Sequence, residues 1–174
     1  SFNQALMELG AIVCLPRHPL CERCPLGFLC RAKAQGLQKI LPVPAKKKPL
    51  PHYAVTCGII WKDERMLIAR RPEEGLLGGL WEFPGGKQEP DESLEECLQR
   101  EIREELGIEI EVGPLLTVVR HAYSHFRITL HAFPCRYLSG RPQPLGCSEF
   151  RWILPQELSD YAFSAADLRI LKFL

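Results

Sequence analysis

Three glutamates on one helical segment are the residues of this sequence whose spacing most clearly predicts chemistry. The apolar residues within 92–106 recur at the i, i+4 spacing of one helix face: Leu94, Leu98, Ile102 and Leu106. At about 100° per residue, Glu105 falls inside that apolar stripe, Glu101 lies beside it and Glu104 borders it. Neighbouring buried carboxylates repel one another and lose hydration, so a divalent cation such as Mg²⁺ is the expected partner. The alternative is an exposed acidic helix whose glutamates pair with arginines such as Arg100.

A second set of candidate ligands consists of four cysteines near the start of the chain: Cys14, Cys21, Cys24 and Cys30. Clustered thiols in a chain without a secretion signal favour a metal over disulfides. One Cys-x2-Cys pair with an outlying cysteine on each side suits a 4Fe-4S cluster, in which each iron takes one thiolate. A structural zinc ion and a metal-free loop are the alternatives. Arg17 and Arg23 in the same loop are candidate contacts for a DNA phosphate.

The composition is that of an ordinary soluble chain, with 174 residues, 46% hydrophobic content and a formal net charge of +1. This balance excludes a globally basic nucleic-acid coat, so any electrostatic contact must be local. The apolar runs fall far short of the roughly 20 residues that span a bilayer, so no membrane partner is expected. No secretion signal opens the chain, which predicts a cytoplasmic location. Because it begins with Ser1 in a helical pattern, we expect a longer parent polypeptide.

Residues 36–52 divide the sequence, because they hold four prolines and the lysine triplet Lys46–Lys48. Proline at this density disfavours helix and central strand, which predicts an extended linker between residues 1–35 and residues 53–174. In the larger part, hydrophobic alternation predicts several strands, at 53–61, 66–71, 108–120, 126–138 and 148–154. The helix over 92–106, for which Asp91 is the expected N-cap and Gly107 the expected stop, lies among them. An amphipathic helix from about 164 closes the chain. Alternating strands and helices predict an α/β or α+β sandwich.

The glutamate helix and its preceding glycines carry a family resemblance. The residues read Gly86-x5-Glu92-x7-Arg100-Glu101-Ile102-x-Glu104-Glu105-x-Gly107-Ile108, which resembles the Nudix hydrolase box at every defined position. The resemblance implies a Nudix α/β/α sandwich over 53–174, with Mg²⁺ or Mn²⁺ bound by Glu101, Glu104 and Glu105. It also implies that Arg100 orients a catalytic carboxylate. Its other implied residues are the turn glycines Gly85 and Gly86, a bracing Glu92, and a general base from another loop, for which Glu149 is the candidate.

Two further positions are similar to nucleotide contacts of MutT-like members of that family. Arg71 ends a predicted strand before the glycine loop, where such enzymes place an arginine against the nucleotide. Asp167 on the closing helix is a candidate reader of the base. With the box complete, the resemblance implies hydrolysis of 8-oxo-dGTP or a related triphosphate to monophosphate and pyrophosphate. A MutT-like hydrolase of free nucleotides, acting independently of DNA, is an alternative.

The first 35 residues resemble a different family. The run Phe2–Ala11, followed by the cysteine spacing, is similar to the last helix and iron–sulfur loop of MutY-type adenine DNA glycosylases. The catalytic residues of that family lie upstream, in a helix-hairpin-helix domain, so this chain is not expected to excise adenine without its missing N-terminal domain. Tyr123-Ser124-His125 resembles the family's Phe-Ser-His loop, which reads 8-oxoguanine in DNA. A non-catalytic module that binds lesion DNA is therefore the competing interpretation.

Overall fold

The computed structural model describes residues 1–43 and 49–174, which divide into two compact units, Ser1–Pro49 and Leu50–Leu174. The lysine triplet Lys46–Lys48 lies outside the described residues. The first unit contains short helices: α1 (Phe2–Ile12), a 3-10 turn (Cys21–Arg23), α2 (Arg31–Ala34) and a second 3-10 turn (Leu37–Lys39). That second turn falls within the segment predicted to be an extended linker. Nowhere in the described parts of the chain is a helix both long and apolar enough to cross a membrane.

The second unit is built on a seven-stranded mixed sheet. Its strands are β1 (His52–Lys62), β2 (Arg65–Arg70), β3 (Trp81–Glu82), β4 (Ile108–Val112), β5 (Thr117–Ala122), β6 (Arg127–Gly140) and β7 (Glu149–Ile153). The central order is β3-β2-β1-β6-β4, with β7 paired to β2 and β5 paired to β6. The long strands β1 and β6 run parallel, and the other pairs are antiparallel.

Each face of this sheet buries its own apolar cluster. Because strand side chains alternate between faces, Ile59 and Ile60 on β1 belong to different clusters. One cluster is closed by the long helix α3 (Leu94–Leu106), whose predicted stripe is buried. The other includes Ile170 of the short helix α4 (Asp167–Ile170) and three aromatic residues: Trp81, Phe83 and Phe163. The predicted α/β sandwich is confirmed.

Two predicted boundaries are wrong for local reasons. The predicted strand 108–120 is two strands, β4 and β5, because Gly113-Pro114 interrupts it and Pro114 has no N–H for a sheet. Helix α3 begins after Ser93 rather than Asp91. The Ser93 hydroxyl accepts the Glu96 N–H, and the Glu96 carboxylate accepts the Ser93 N–H, so the two form a capping box. The predicted stop at Gly107 is confirmed by its left-handed φ of 66°.

Candidate active site

A cavity of about 370 Å³ lies in the second unit, bordered by the glycine loop of residues 83–87 and helix α3. Seven of the predicted site residues line it: Arg71, Gly85, Gly86, Glu101, Glu105, Tyr123 and Asp167. Five other predicted residues of this unit are outside its lining: Arg100, Glu104, Ser124, His125 and Glu149. The fold thus brings the glycine loop, two box glutamates and both predicted nucleotide contacts to one pocket.

Glu82 is a pocket carboxylate that the sequence analysis did not identify as a site residue. It lies on β3 and lines the cavity together with Glu101 and Glu105. Its Oε2 accepts a hydrogen bond from Nη1 of Arg71 at 2.5 Å. In the sequence, the one indication that Glu82 belongs to the site is its position three residues before Gly85. The pairing of β3 with β2 is what shows where its side chain lies.

Two of the pocket acids, Glu82 and Glu105, have raised pKa values. Burial, together with the neighbouring charges of Glu82 and Glu101, raises the pKa of Glu105 to about 8, despite the hydrogen bond that its Oε2 accepts from the Gly85 N–H at 3.3 Å. Burial also raises the pKa of Glu82 to about 7, although Arg71 opposes the shift. Carboxylates that retain protons near neutral pH would ionise if a cation approached them.

Arg100 connects the glycine loop to helix α3. Its Nε and Nη2 donate to the two carboxylate oxygens of Glu92 at 3.1 and 2.8 Å, and Nη1 donates to Glu101 at 2.9 Å. These bonds lower the pKa of Glu92 to about 2. The bidentate partner of Arg100 is therefore the bracing Glu92, while Glu101 receives a single bond. Nη1 also reaches Glu104 at 3.2 Å, and the Glu104 side chain is 60% exposed.

The pocket offers the type of ligand atom that a hard divalent cation binds. Carboxylate oxygens are the ligands that Mg²⁺ and Mn²⁺ prefer. Glu101 and Glu105 face the pocket from consecutive turns of α3, and Glu82 faces it from β3. Within residues 1–43 and 49–174, no three His, Cys, Asp or Glu side chains stand close enough together to hold an ion.

The pocket also presents a buried acid and aromatic rings. Asp167 is 6% exposed, and its carboxylate accepts the Ser164 hydroxyl at 2.6 Å and the Phe83 N–H at 3.4 Å. Burial raises the pKa of Asp167 to about 6. The Tyr123 ring packs against Phe126 with ring centres 4.8 Å apart. A flat ligand in this part of the cavity would meet both a carboxyl group and an aromatic face.

Three predicted residues lie elsewhere. Ser124 and His125 are exposed in the turn between β5 and β6, whereas Tyr123 of the same triplet faces the pocket. Glu149 begins β7, and its Oε1 accepts a hydrogen bond from Nε of Arg151 at 2.6 Å. The Arg151 guanidinium lies 5.3 Å from the Trp81 ring, so it is held against that aromatic surface. The Glu149 carboxylate is thus paired with Arg151, and Glu149 is not among the residues that line the cavity, so its role as a general base stays a prediction.

In the first unit, the four clustered cysteines share one cavity. Cys14, Cys21, Cys24 and Cys30 all line a mainly apolar space of about 370 Å³, and all four are free thiols. The Cys30 Sγ accepts the Lys33 N–H at 3.4 Å. Arg17 and Arg23 are exposed on the same unit. Three of the four remaining cysteines are buried in the second unit, as predicted for ordinary core residues: Cys57, Cys97 and Cys135.

Known proteins with similar sequences share the domain that carries the acidic pocket. The family profile described as a NUDIX domain matches residues 55–173. A CTP pyrophosphohydrolase of Escherichia coli (strain K12) is 40% identical over 118 residues, which cover 68% of this chain and 87% of that protein. An 8-oxo-dGTP diphosphatase of Proteus vulgaris is 42% identical over 80 residues, 45% of this chain and 71% of that protein. The chain belongs to the Nudix hydrolase family.

Further relatives extend the similarity to the fold and to the first unit. The solution structure of the Escherichia coli ORF135 protein matches with a TM-score of 0.62 and 37% identity, covering 71% of this chain and 89% of that one. An adenine DNA glycosylase of Rattus norvegicus is 28% identical over 217 residues, covering 98% of this chain and 42% of that protein. The chain therefore spans less than half the length of that glycosylase.

Proposed function

We propose that residues 53–174 hydrolyse nucleoside triphosphates to monophosphate and pyrophosphate in a reaction that requires Mg²⁺ or Mn²⁺. The observation that carries this proposal is the pocket itself, which is lined by Glu101 and Glu105 of the family motif, by Glu82 and by two glycines. A bound divalent ion would neutralise phosphate charge and make water a stronger nucleophile. Without the positive charge of the ion, the pocket carboxylates would repel a phosphate group.

The remaining roles follow from the positions of the side chains. Glu101, Glu104 and Glu105 are the proposed metal ligands. Arg100 holds Glu101 through the 2.9 Å hydrogen bond and fixes α3 to the loop through Glu92. Arg71 and Asp167 are proposed to contact the base or the phosphates, with the Tyr123 ring stacking on the base.

We infer 8-oxo-dGTP or a related oxidised purine nucleotide as the substrate class, supported by the 8-oxo-dGTP diphosphatase among the relatives. The test is pyrophosphate release from 8-oxo-dGTP, dGTP and CTP with Mg²⁺ or Mn²⁺. Glu105→Gln should lower the rate by about 100-fold or more if Glu105 binds the metal. Glu109→Gln is the matched control, because Glu109 is exposed and pairs with Arg103 away from the pocket. No pyrophosphate from any nucleotide would refute the hydrolase proposal, and preference for CTP would refute the substrate class.

The second candidate function is recognition of 8-oxoguanine in DNA by the turn of Tyr123-Ser124-His125. Two observations favour it: the glycosylase relative matches 98% of this chain, and Ser124 and His125 are exposed while Tyr123 faces the pocket. In this proposal the longer parent chain removes adenine opposite 8-oxoguanine, with an N-terminal glycosylase domain as partner. Arg17 and Arg23 would bind DNA phosphates, in a manner weakened by salt.

Fluorescence anisotropy with duplexes that contain 8-oxoguanine or guanine opposite adenine tests this second function. Ser124→Ala should weaken binding to the 8-oxoguanine duplex by about 10-fold, since each lost base contact costs on the order of 1 kcal/mol or more. Ser139→Ala is the control, because Ser139 is an exposed serine at the far end of β6. Equal affinity of wild type and Ser124→Ala would contradict the reading role and favour a hydrolase that acts independently of DNA.

We also propose that the four cysteines of the first unit hold a 4Fe-4S cluster. Their shared cavity supports this, because a cubane takes one thiolate on each of its four irons. The protein purified without oxygen should contain about four irons and four labile sulfides per chain. Cys24→Ser should lose that content, whereas Cys147→Ser, in the other unit, should keep it. One zinc without iron would overturn the assignment.

A further inference from the structure

The cavity that the four clustered cysteines share has two further polar side chains in its wall. In the part of the chain that the structure describes, these are Lys33 and Gln38, and the other lining residues are apolar or glycine. A polar group in such a wall loses hydration, so it needs a hydrogen-bond partner inside the protein. The partners of Lys33 and Gln38 therefore indicate what the cavity is built to hold.

Lys33 finds its partners within the cysteine loop itself. Its Nζ pairs with the Glu22 carboxylate at 3.1 Å and donates a hydrogen bond to the Cys21 carbonyl at 3.5 Å. Its backbone N–H donates to the Sγ of Cys30 at 3.4 Å. The ammonium of Lys33 is thus satisfied by the protein, and its backbone already contacts one of the four sulfurs.

A tight turn after α2 places Gln38 in the same wall. Gly36 has a φ of 69°, a left-handed conformation that glycine adopts without strain, and it begins the 3-10 turn that contains Gln38. The Ile40 N–H donates to the Leu37 carbonyl at 3.0 Å and closes this turn. The position of Gln38 is therefore set by local backbone bonds in the first unit.

The side-chain amide of Gln38, in contrast, lacks a partner. Its Oε1 is buried and accepts no hydrogen bond from any residue that the structure describes. The terminal torsion of glutamine is nearly two-fold, so the oxygen and the NH2 group exchange places at little energetic cost. Thiolates and sulfides accept hydrogen bonds and donate none. With sulfurs in the cavity, the amide gains a partner when Nε2 faces them.

We propose that Nε2 of Gln38 donates a hydrogen bond to a sulfur of the 4Fe-4S cluster and thereby raises the reduction potential of the cluster. This inference rests on the proposed cluster. A donor beside a sulfur stabilises negative charge on it, and the reduced cluster carries one more electron than the oxidised one. Gln38 binds no iron itself, so its loss should change the potential of the cluster without removing the metal.

The first test compares variants purified without oxygen by voltammetry of the adsorbed protein. Gln38→Met keeps the length of the side chain but has no N–H to donate. It should retain the wild-type content of iron and sulfide. At the midpoint potential of the wild type, its ratio of oxidised to reduced cluster should be about 10-fold higher, a shift of about 59 mV for one electron. Gln35→Met is the matched control, because Gln35 is exposed at the end of α2 and should leave the potential unchanged.

A second test needs no substitution at Gln38. Protein labelled with 15N in the glutamine side-chain amides is brought to a paramagnetic state of the cluster and studied by pulsed electron paramagnetic resonance. A 15N coupling in the wild type and in Gln35→Met supports the hydrogen bond, and its absence from both overturns it. Equal potentials in Gln38→Met and Gln35→Met would also overturn it.

The metal content separates this inference from the cluster on which it rests. Iron and sulfide in the wild type together with an unchanged potential in Gln38→Met would leave the cluster in place and refute the role of Gln38. Zinc without iron would refute the cluster, and a chelator then tests the amide against zinc-bound thiolates. Zinc loss about 10-fold faster from Gln38→Met than from Gln35→Met would support the hydrogen bond to sulfur, and equal rates would refute it.

Discussion

Alanine substitution at two adjacent glycines should separate folding from chemistry in this pocket. At Gly85 the backbone has a φ of +149°, and an added Cβ would lie 2.3 Å from the Thr56 carbonyl oxygen and 2.8 Å from the Cys57 Cα. Both neighbours are backbone atoms of β1, the central strand of the sheet, so they cannot move aside. At Gly86 an added Cβ would instead lie 2.1 Å from Cδ of Glu101, a side chain that can rotate.

These contacts predict different losses of stability and activity for the two variants. Gly85→Ala combines an unfavourable φ with a backbone clash, which should lower the free energy of unfolding by about 3–5 kcal/mol. In Gly86→Ala, the Glu101 carboxylate must retreat by more than 1 Å to reach the 3.4 Å of an ordinary contact. That movement should change stability by about 1 kcal/mol or less, yet reduce pyrophosphate release by about 100-fold, because a displacement of this size misplaces a metal ligand.

Urea unfolding followed by circular dichroism measures the stability of both variants, and pyrophosphate release with Mg²⁺ and 8-oxo-dGTP measures activity. Gly113→Ala offers a comparison away from the pocket, since its added Cβ would meet the Pro134 carbonyl oxygen at 2.8 Å. It should cost stability without a specific loss of activity in the folded fraction. A Gly86→Ala protein with wild-type activity would refute the role assigned to the position of Glu101. A Gly86→Ala protein as unstable as Gly85→Ala would refute the distinction between side-chain and backbone contact.

Three further predictions address the acids and the helix start. Asp167→Asn should change the pH dependence of stability. The folded state holds the pKa of Asp167 at about 6 against 3.8, so this group costs the wild type up to about 3 kcal/mol of stability as the pH rises through that window, and the variant lacks this contribution. Urea unfolding at pH 4 and pH 7 measures this, and equal losses in both proteins would contradict it. Glu101→Gln should reduce pyrophosphate release about 100-fold and Glu104→Gln about 10-fold, because Glu104 is exposed and outside the pocket lining. Equal losses would show that Glu104 swings into the site. Ser93→Ala should lower the melting temperature through the loss of about 1 kcal/mol of capping, with unchanged KM, and an altered KM would disprove a purely structural role.

Features that depend on local pattern were predictable from the sequence. The apolar stripe of α3 follows from helix periodicity, and its stop follows from the left-handed conformation that Gly107 adopts easily. β1 follows from a continuous apolar run, which the sheet buries on both faces. The position of Glu105 in that stripe likewise predicted a partly buried acid beside Glu101. The family motif needed no tertiary information, since its spacing lies within one loop and one helix.

Other features depended on contacts between distant segments, which no local pattern encodes. The pairing of β3 with β2 brings Glu82 into the pocket, 19 positions before Glu101. Glu149 looked equally available in sequence, but in the structure it pairs with Arg151 and does not line the cavity. Sequence determined which side chains are acidic, apolar or turn-forming. Strand register and the choice of ion-pair partners determined which of these side chains contact one another. Neither is defined until the whole sheet has packed.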